Sequence, residues 1–160
     1  MKKIFNSGED FSALVKTLND DGKKTVFTNG VFDIIHRGHI EYLQSAKELG
    51  DVLIVGLNSD KSVKIIKGDK RPIVQQDNRA FVLSNLLPVD YVIMFDEDTP
   101  YNLISKIMPD VLVKGADWQE DKIIGADIVK QNGGEVKTIN FVENNSSTGI
   151  IERIIQLYCK

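Results

Sequence analysis

Residues 25–57 read TVFTNGVFDIIHRGHIEYLQSAKELGDVLIVGL, and this stretch decides the fold. Residues 25–28 are β-branched or aromatic, and the turn formers Asn29 and Gly30 follow them, as at the end of a strand. From about Gly38 to Leu49, apolar residues recur at helical spacing. Residues 52–57 are a continuous apolar run of strand length, typical of a strand covered on both faces. The stretch therefore predicts a strand–helix–strand unit with parallel strands.

The same alternation continues along the rest of the chain. Further strands are predicted at 91–95, 111–113 and 135–141, and further helices at 11–18, 61–66, 77–86, 100–107, 125–131 and 147–157. This pattern predicts one α/β domain over residues 1–160, a Rossmann-like doubly wound parallel sheet of five strands with helices on both faces. In such folds ligands bind beyond the carboxyl ends of the strands, which is where functional residues are sought.

Length and composition exclude several classes of protein. The chain has 160 residues, 20 basic and 23 acidic side chains, a net charge of −3 and a single cysteine, Cys159. This size fits one domain, and the acidic balance argues against a nucleic-acid partner. No apolar run approaches the ~20 residues of a membrane span, and residues 1–10 lack the apolar core of a signal peptide. We therefore expect a cytoplasmic protein without membrane or nucleic-acid partners.

The chain has two histidines, His36 and His39, and both lie at the predicted start of the second helix. At a spacing of three residues they share one helix face. Free N–H groups and partial positive charge at a helix start suit a phosphate, and Gly30 and Gly38 let the backbone approach it closely. Two imidazoles placed there can donate hydrogen bonds to a phosphate whose charge grows during a reaction.

The histidine pair is also compatible with a structural role or with metal binding. Either histidine can be a helix cap or a surface residue, and the pair can contribute to a metal site. Zinc requires a third protein ligand, however, and the chain has no third histidine, while Cys159 is far along the sequence. Neither a Walker loop, GxxxxGK[ST], nor the dinucleotide fingerprint GxGxxG occurs, which argues against redox enzymes.

Several charged residues lie near predicted strand ends or in loops. Lys67 and Arg71 flank a loop, where they would either clamp phosphates or remain solvated. Arg79 lies early in a helix, where a cation is electrostatically misplaced, which predicts either a ligand contact or a neighbouring carboxylate. Lys114 ends a strand at the ligand edge of the sheet, although a surface lysine also fits that position.

Polar residues at further positions are each compatible with two roles. Asp33 binds a sugar or a cation, or it forms a turn. Residues 146–148 either cap the last helix or hold a phosphate there. Trp118 either packs under a loop or stacks on a ligand. Asn58 and Asp60 end the second predicted strand, where they can face a nucleotide or a sugar.

Taken together, these motifs resemble a known family. Residues 27–39 resemble the HxGH signature of the cytidylyltransferase-like nucleotidyltransferase superfamily. Further segments fit in order: Asn58-Ser59-Asp60, Lys67-Gly68 with Arg71-Pro72, Asp77-Asn78-Arg79, residues 95–100, residues 109–118 and Ser146-Ser147-Thr148. The ordered set resembles the D-glycero-β-D-manno-heptose 1-phosphate adenylyltransferase family across nearly the whole chain. HxGH specifies only the superfamily, whereas KGxxRP at 67–72 and VLVKGADW at 111–118 are much more specific.

The resemblance implies an enzyme that transfers AMP from ATP to the heptose 1-phosphate, with Mg²⁺ carried on the ATP phosphates. The products are ADP-heptose for lipopolysaccharide or another surface glycan, and pyrophosphate. The resemblance further implies a homodimer. Because the kinase domain often fused in that family is absent from these residues, it implies a separate sugar kinase and phosphatase. The alternatives are a cytidylyltransferase or guanylyltransferase acting on glycerol phosphate or another sugar phosphate, and a catalytically silent nucleotide-binding regulator.

The resemblance also implies a role for each matching residue. The catalytic residues are His36, His39, Lys67 and Arg71. The nucleotide-binding residues are Thr28, Asn29, Gly30, Val31, Phe32, His36, Gly38, His39, Lys114, Gly115, Ser146, Ser147 and Thr148. The sugar phosphate is bound by Asp33, Asn58, Asp60, Lys67, Arg71, Arg79 and Trp118. No residue is assigned as a metal ligand.

Overall fold

A computed structural model describes residues 2–116, 122–140 and 146–159. In these ranges the strands are β1 (Ile4–Phe5), β2 (Thr25–Gly30), β3 (Val52–Asn58), β4 (Tyr91–Phe95), β5 (Val111–Gly115) and β6 (Glu135–Ile139). The helices are α1 (Ser12–Asp20), α2 (Arg37–Lys47), α3 (Asp60–Lys67), α4 (Gln76–Ser84), α5 (Tyr101–Ile107), α6 (Ala126–Gln131) and α7 (Ser147–Tyr158). The described helices include none that is long and apolar enough to cross a membrane.

The described strands form one parallel sheet of six strands in the order β1-β4-β3-β2-β5-β6. The predicted α/β class and the parallel sheet with helices on both faces are confirmed. The predicted number of five strands is wrong, because β1 adds a two-residue edge strand that pairs Ile4 with Val92 and Phe5 with Ile93. After β4 the chain returns past β3 and β2 to place β5, so the strand order reverses between β2 and β5.

Each face of the sheet carries its own apolar core. Successive residues of a strand point to opposite faces, so that in β2 Phe27 packs on one side with α1, α5 and α6. Its neighbour Val26 packs on the other side with α2 and α4. Every residue of β3 is buried, which explains why its sequence is continuously apolar rather than alternating. Several buried polar residues, among them Asp33, Asn58 and Ser59, lie at or just beyond the carboxyl ends of β2 and β3.

Candidate active site

A crevice opens between β2 and β5 at their carboxyl ends. The two strands pair only through Val26 with Val111 and Phe27 with Leu112, although β2 continues to Gly30 and β5 to Gly115. Each strand stays paired on its outer side over this length, β2 with β3 and β5 with β6. The gap therefore lies where the strand order reverses, the place at which open α/β sheets bind ligands.

Two predicted nucleotide-binding residues meet across this crevice. Lys114, near the end of β5, donates a hydrogen bond from Nζ to Oδ1 of Asn29 near the end of β2. Both side chains are half-buried, so the lysine brings positive charge to the crevice without being fully desolvated. Gly115 follows Lys114 and is buried. The structure thus brings Asn29, Lys114 and Gly115 to one place, as expected from the carboxyl ends of neighbouring strands.

The histidine pair lies at the beginning of α2. His36 is the N-cap, with extended backbone angles, and its carbonyl accepts from the N–H of His39 at 3.0 Å. The two imidazoles stack with ring centroids 3.8 Å apart and an interplanar angle of 26°. Nδ1 of each ring is buried, and neither atom has a hydrogen-bond partner among the residues that the structure describes. Buried polar atoms without a partner are uncommon and cluster at functional sites, which marks the histidine pair as a candidate functional feature.

Burial keeps both imidazoles neutral near neutral pH. Desolvation lowers the pKa of His36. For His39, desolvation and then the neighbouring charge of a protonated His36 lower the pKa from 6.5 to about 4. Stacked rings at this distance cannot both carry a proton without strong repulsion. The pair therefore offers neutral N–H donors in the free protein, and an arriving phosphate would favour protonation of one ring.

The lowered pKa of His39 predicts a pH-dependent stability. Between pH 6.5 and about 4 the unfolded chain binds a proton at this histidine that the folded protein does not, so stability falls as the pH falls through that window. The pKa difference corresponds to about 3 kcal/mol at most. In urea unfolding, we expect the wild type to lose about 2 kcal/mol more than His39→Gln between pH 7 and pH 4. Titration of the carboxylates changes the free energy of unfolding equally in both proteins. Equal losses of stability in the wild type and in His39→Gln would therefore contradict the lowered pKa of His39.

The loop between β2 and α2 carries backbone strain beside the histidines. Phe32 is buried and has a φ of +46°, a left-handed conformation that costs a bulky residue about 1–3 kcal/mol. Its ring lies 5.2 Å from the ring of His39, tilted by 57°. An atom of the same ring would lie 3.0 Å from a Cβ added to Gly30, so a side chain at residue 30 would displace Phe32. Close packing against the Phe32 ring therefore favours glycine at residue 30.

Asp33 fastens this loop to the segment before α4. The carboxylate is 3% exposed and accepts from the N–H groups of Ile73 at 2.9 Å and Val74 at 2.7 Å, and from Nε of Arg71 at 2.7 Å. Burial opposes its ionisation, but the bonds from Val74, Ile73 and Arg71 together lower the pKa of Asp33. Asp33 thereby orients the Arg71 guanidinium, whose Nη1 and Nη2 atoms have no hydrogen-bond partner within the described ranges. The peptide bond between Arg71 and Pro72 is cis.

The remaining predicted residues near β3 are engaged in internal contacts. Nδ2 of Asn58 donates to Oγ of Ser62 at 2.9 Å, and Asp60 pairs with Arg79 at 2.7 Å. Arg79 is 1% exposed, which matches the expected neighbouring carboxylate. The alternative expectation, a ligand contact of Arg79, stays a prediction. Lys67 is the last residue of α3 and is exposed.

The start of α7 lies against the histidine loop. Oγ of Ser147 donates to the carbonyl of Ile34 at 3.2 Å. Oγ of Ser146 caps the helix by accepting from the N–H of Gly149 at 3.0 Å, and Thr148 is exposed. Both roles predicted for these hydroxyls, helix cap and phosphate contact, fit this position. Trp118 lies outside the described residues.

Several residues that the sequence did not single out support the site. The hydroxyl of Tyr42 on α2 lies 2.7 Å from that of Thr28, so Thr28, which is fully buried, is occupied by the protein itself. The backbone N–H groups of Ile73 and Val74 hold Asp33, and Oε1 of Gln76 accepts from the N–H of Asp60. The sequence does not predict contacts made by backbone N–H groups, because they do not depend on the type of side chain. Tyr42 lies at a position of α2 where the sequence pattern predicts only an apolar core residue.

Comparison with known proteins agrees with this geometry. Residues 27–153 match the model of the cytidylyltransferase-like family. The chain belongs to this family, and its class is that of nucleotidyltransferases, as the sequence predicted.

Within that class, the chain is similar to curated proteins named bifunctional protein HldE. It is 62% identical to the one from Campylobacter concisus over 142 residues, which covers 88% of this chain and 29% of the relative. It is 56% identical to one from Helicobacter pylori over 141 residues, which covers 88% of this chain and 30% of the relative. The chain thus spans about three tenths of the length of these relatives.

A solved structure shows the same fold. The crystal structure of the lipopolysaccharide core biosynthesis protein from Thermoplasma volcanium superposes with a TM-score of 0.60 at 30% sequence identity. The match covers 78% of this chain and 100% of that chain.

Proposed function

We propose that this chain is an adenylyltransferase that joins AMP from ATP to D-glycero-β-D-manno-heptose 1-phosphate and releases pyrophosphate. The observation that carries the proposal is the stacked, neutral histidine pair at the start of α2, beside the crevice that Lys114 lines. Neutral donors and a helix N-terminus suit phosphate groups better than a reaction that needs a side-chain nucleophile.

The reaction needs positioning and charge stabilisation. An oxygen of the sugar phosphate attacks the α-phosphorus of ATP, the new P–O bond forms, and the bond from that phosphorus to the bridging oxygen breaks. Pyrophosphate leaves on the side opposite the attacking oxygen and takes the electrons of the broken bond with it. His36 and His39 would donate hydrogen bonds to the α-phosphate and the leaving group. Arg71, held by Asp33, and Lys114 would neutralise phosphate oxygens, and Lys67 would approach from the end of α3.

Mg²⁺ belongs to the substrate in this proposal. The described residues contain no group of three or more His, Cys, Asp or Glu side chains that could hold a metal ion. The ion would therefore enter on the ATP phosphates, with water completing its octahedral shell. The site residues need only accommodate the complex of ATP with Mg²⁺.

The choice of heptose 1-phosphate has two supports. One is the ordered set of motifs that includes KGxxRP and VLVKGADW. The second is the 30% identity to a lipopolysaccharide core biosynthesis protein. As parts of the same proposal, the protein is a cytoplasmic homodimer in which residues 1–160 form one domain, and a sugar kinase and a phosphatase supply its substrate.

A matrix of substrates tests the proposal. ATP, CTP and GTP are each combined with D-glycero-β-D-manno-heptose 1-phosphate and with glycerol 3-phosphate, and pyrophosphate release and product mass are measured. We expect ADP-heptose and pyrophosphate in equal amounts, with at least a hundredfold higher kcat/KM for ATP with the heptose 1-phosphate than for any other pair. A CDP-linked or GDP-linked product would show that the nucleobase is cytosine or guanine instead of adenine. A glycerol-containing product would show that the acceptor is glycerol phosphate instead of the heptose phosphate. ATP binding without turnover would favour a regulator.

A further inference from the structure

Arg79, in the first half of α4, is the most fully buried charged side chain among those described, at 1% exposure. Its guanidinium donates in several directions at once. Nε donates to the carbonyl of Val74 at 2.8 Å, and Nη2 to the carboxylate of Asp60 at 2.7 Å. Nη1 donates to the carbonyls of Val31 at 2.6 Å and Asn58 at 2.9 Å. A guanidinium has five N–H donors, so nearly all of its hydrogen-bonding capacity is used inside the protein.

These four partners belong to three segments at the carboxyl edge of the sheet, because Asn58 and Asp60 are only two residues apart. Val31 follows β2, Asn58 ends β3, Asp60 begins α3, and Val74 precedes α4. One side chain thus fixes the relative position of the histidine loop, the start of α3 and the segment that carries Arg71. With its donors directed at these groups and its surface covered, Arg79 has little capacity left for a direct ligand contact.

A short path leads from Arg79 to the histidines. Val31, whose carbonyl Arg79 holds, directly precedes Phe32. Phe32 is the strained residue with a φ of +46°, and its ring lies against His39. Asp33, on the other side of Phe32, is held by the segment 71–74. A left-handed backbone persists only where its neighbours determine it, and here the residues on both sides of Phe32 are fixed.

We propose that Arg79 is a positioning residue for the histidine pair, which it holds by fixing the Val31 carbonyl and so the backbone and ring of Phe32. Its effect on catalysis rests on the proposed function, whereas its effect on the imidazoles does not. The proposal replaces the direct sugar-phosphate contact that the sequence motif implied for Arg79. Lysine cannot substitute, because a single ammonium group cannot reach carbonyls in three directions and a carboxylate together.

Arg79→Lys tests the proposal against a matched control, Leu83→Ala. Leu83 lies one turn further along α4 and is 0% exposed, so its truncation destabilises the same helix without touching the polar network. The only two imidazoles of the chain belong to His36 and His39, which makes their NMR titration a direct readout. The titration midpoint of His39 is expected near pH 4 in the wild type.

In Arg79→Lys, we expect both imidazole resonances to shift and the His39 midpoint to move towards 6.5, because the ring becomes more exposed. We expect kcat to fall at least 30-fold and KM for the sugar phosphate to change less than threefold. Leu83→Ala should lower the melting temperature while leaving the imidazole titrations unchanged and kcat within twofold of the wild type.

Several results would overturn the proposal. Unchanged imidazole titrations in a folded Arg79→Lys would show that Arg79 does not position the histidines. A rise in KM for the sugar phosphate with kcat preserved would restore the direct contact. If Arg79→Lys does not fold, Phe32→Ala decides, since it removes the ring that lies 5.2 Å from that of His39 and through which Arg79 acts: a shift of the His39 midpoint supports positioning, and an unshifted midpoint refutes it. If the wild type has no activity with any substrate pair, the proposed function fails, while the titrations still decide the role of Arg79.

Discussion

Replacing His39 by alanine is expected to lower kcat at least a hundredfold while the fold survives. Removing one donor that stabilises charge in a transition state typically reduces kcat by about 10²–10³. His39 combines that donor role with a position against Phe32 and His36, at centroid distances of 5.2 Å and 3.8 Å. Its side chain belongs to neither apolar core, so its truncation should leave the sheet and its helices in place.

The measurement is steady-state pyrophosphate release, with circular dichroism as the test of folding. Gln44→Ala is the control, because Gln44 is an exposed residue of the same helix, and its kcat should stay within twofold of the wild type. Binding of ATP, measured by calorimetry, should weaken less than kcat falls, since the hydrogen bonds strengthen as charge develops. A folded His39→Ala with full kcat would exclude the histidine from the chemistry.

The sheet itself was largely predictable from the sequence, and its outermost strand was not. Apolar runs of five to seven residues, such as β3 and β4, stand out because they are bounded by polar loops and separated by amphipathic helices. β1 comprises only Ile4 and Phe5, and two residues have no periodicity to detect. Its strand character comes from pairing with β4, a contact between segments far apart in the chain.

The candidate site also has a part that the sequence predicts and a part that it does not. That Asn29 and Lys114 meet follows from a general rule, since both lie near the carboxyl ends of parallel strands that flank the point where the order reverses. Which cation pairs with which carboxylate follows from no such rule. Arg71 with Asp33 and Arg79 with Asp60 depend on the path of residues 68–75 across the sheet edge. The positive φ of Phe32 could not be predicted from the sequence either, because phenylalanine does not favour a left-handed backbone.

These pairings also change the electrostatic expectation for the site. The sequence suggests a cluster of basic residues in an acidic chain of net charge −3. In the fold, Arg79 forms an ion pair with Asp60, and Arg71 forms one with Asp33. Phosphate recognition would therefore rest on the charge of Lys114 together with oriented donors, namely the Arg71 nitrogens, the start of α2 and the two imidazoles.

Asp33→Asn is expected to lower the free energy of unfolding by about 3 kcal/mol and kcat/KM at least 30-fold. Removing one partner of a buried ion pair costs about 3–5 kcal/mol, and Asn keeps part of the hydrogen bonding. Its amide still accepts through one oxygen, but its NH₂ group would face the N–H donors of Ile73, Val74 and Arg71. The pKa of Asp33 is lowered, so the wild-type side chain is ionised at any assay pH near neutrality. Arg71, released from Asp33, would no longer present Nη1 and Nη2 to a phosphate.

Asp10→Asn provides the matched control for this substitution. Asp10 also accepts from a backbone N–H, that of Ser12 at 2.9 Å, but it is exposed, so its replacement should leave both the free energy of unfolding and kcat/KM close to the wild-type values. Urea unfolding and steady-state kinetics on both variants separate two roles for Asp33. Loss of stability together with activity marks a residue that fixes the loop and Arg71. Loss of activity at wild-type stability would instead mean that the carboxylate binds the sugar directly, and that the bonds to Ile73, Val74 and Arg71 contribute little to the folded state.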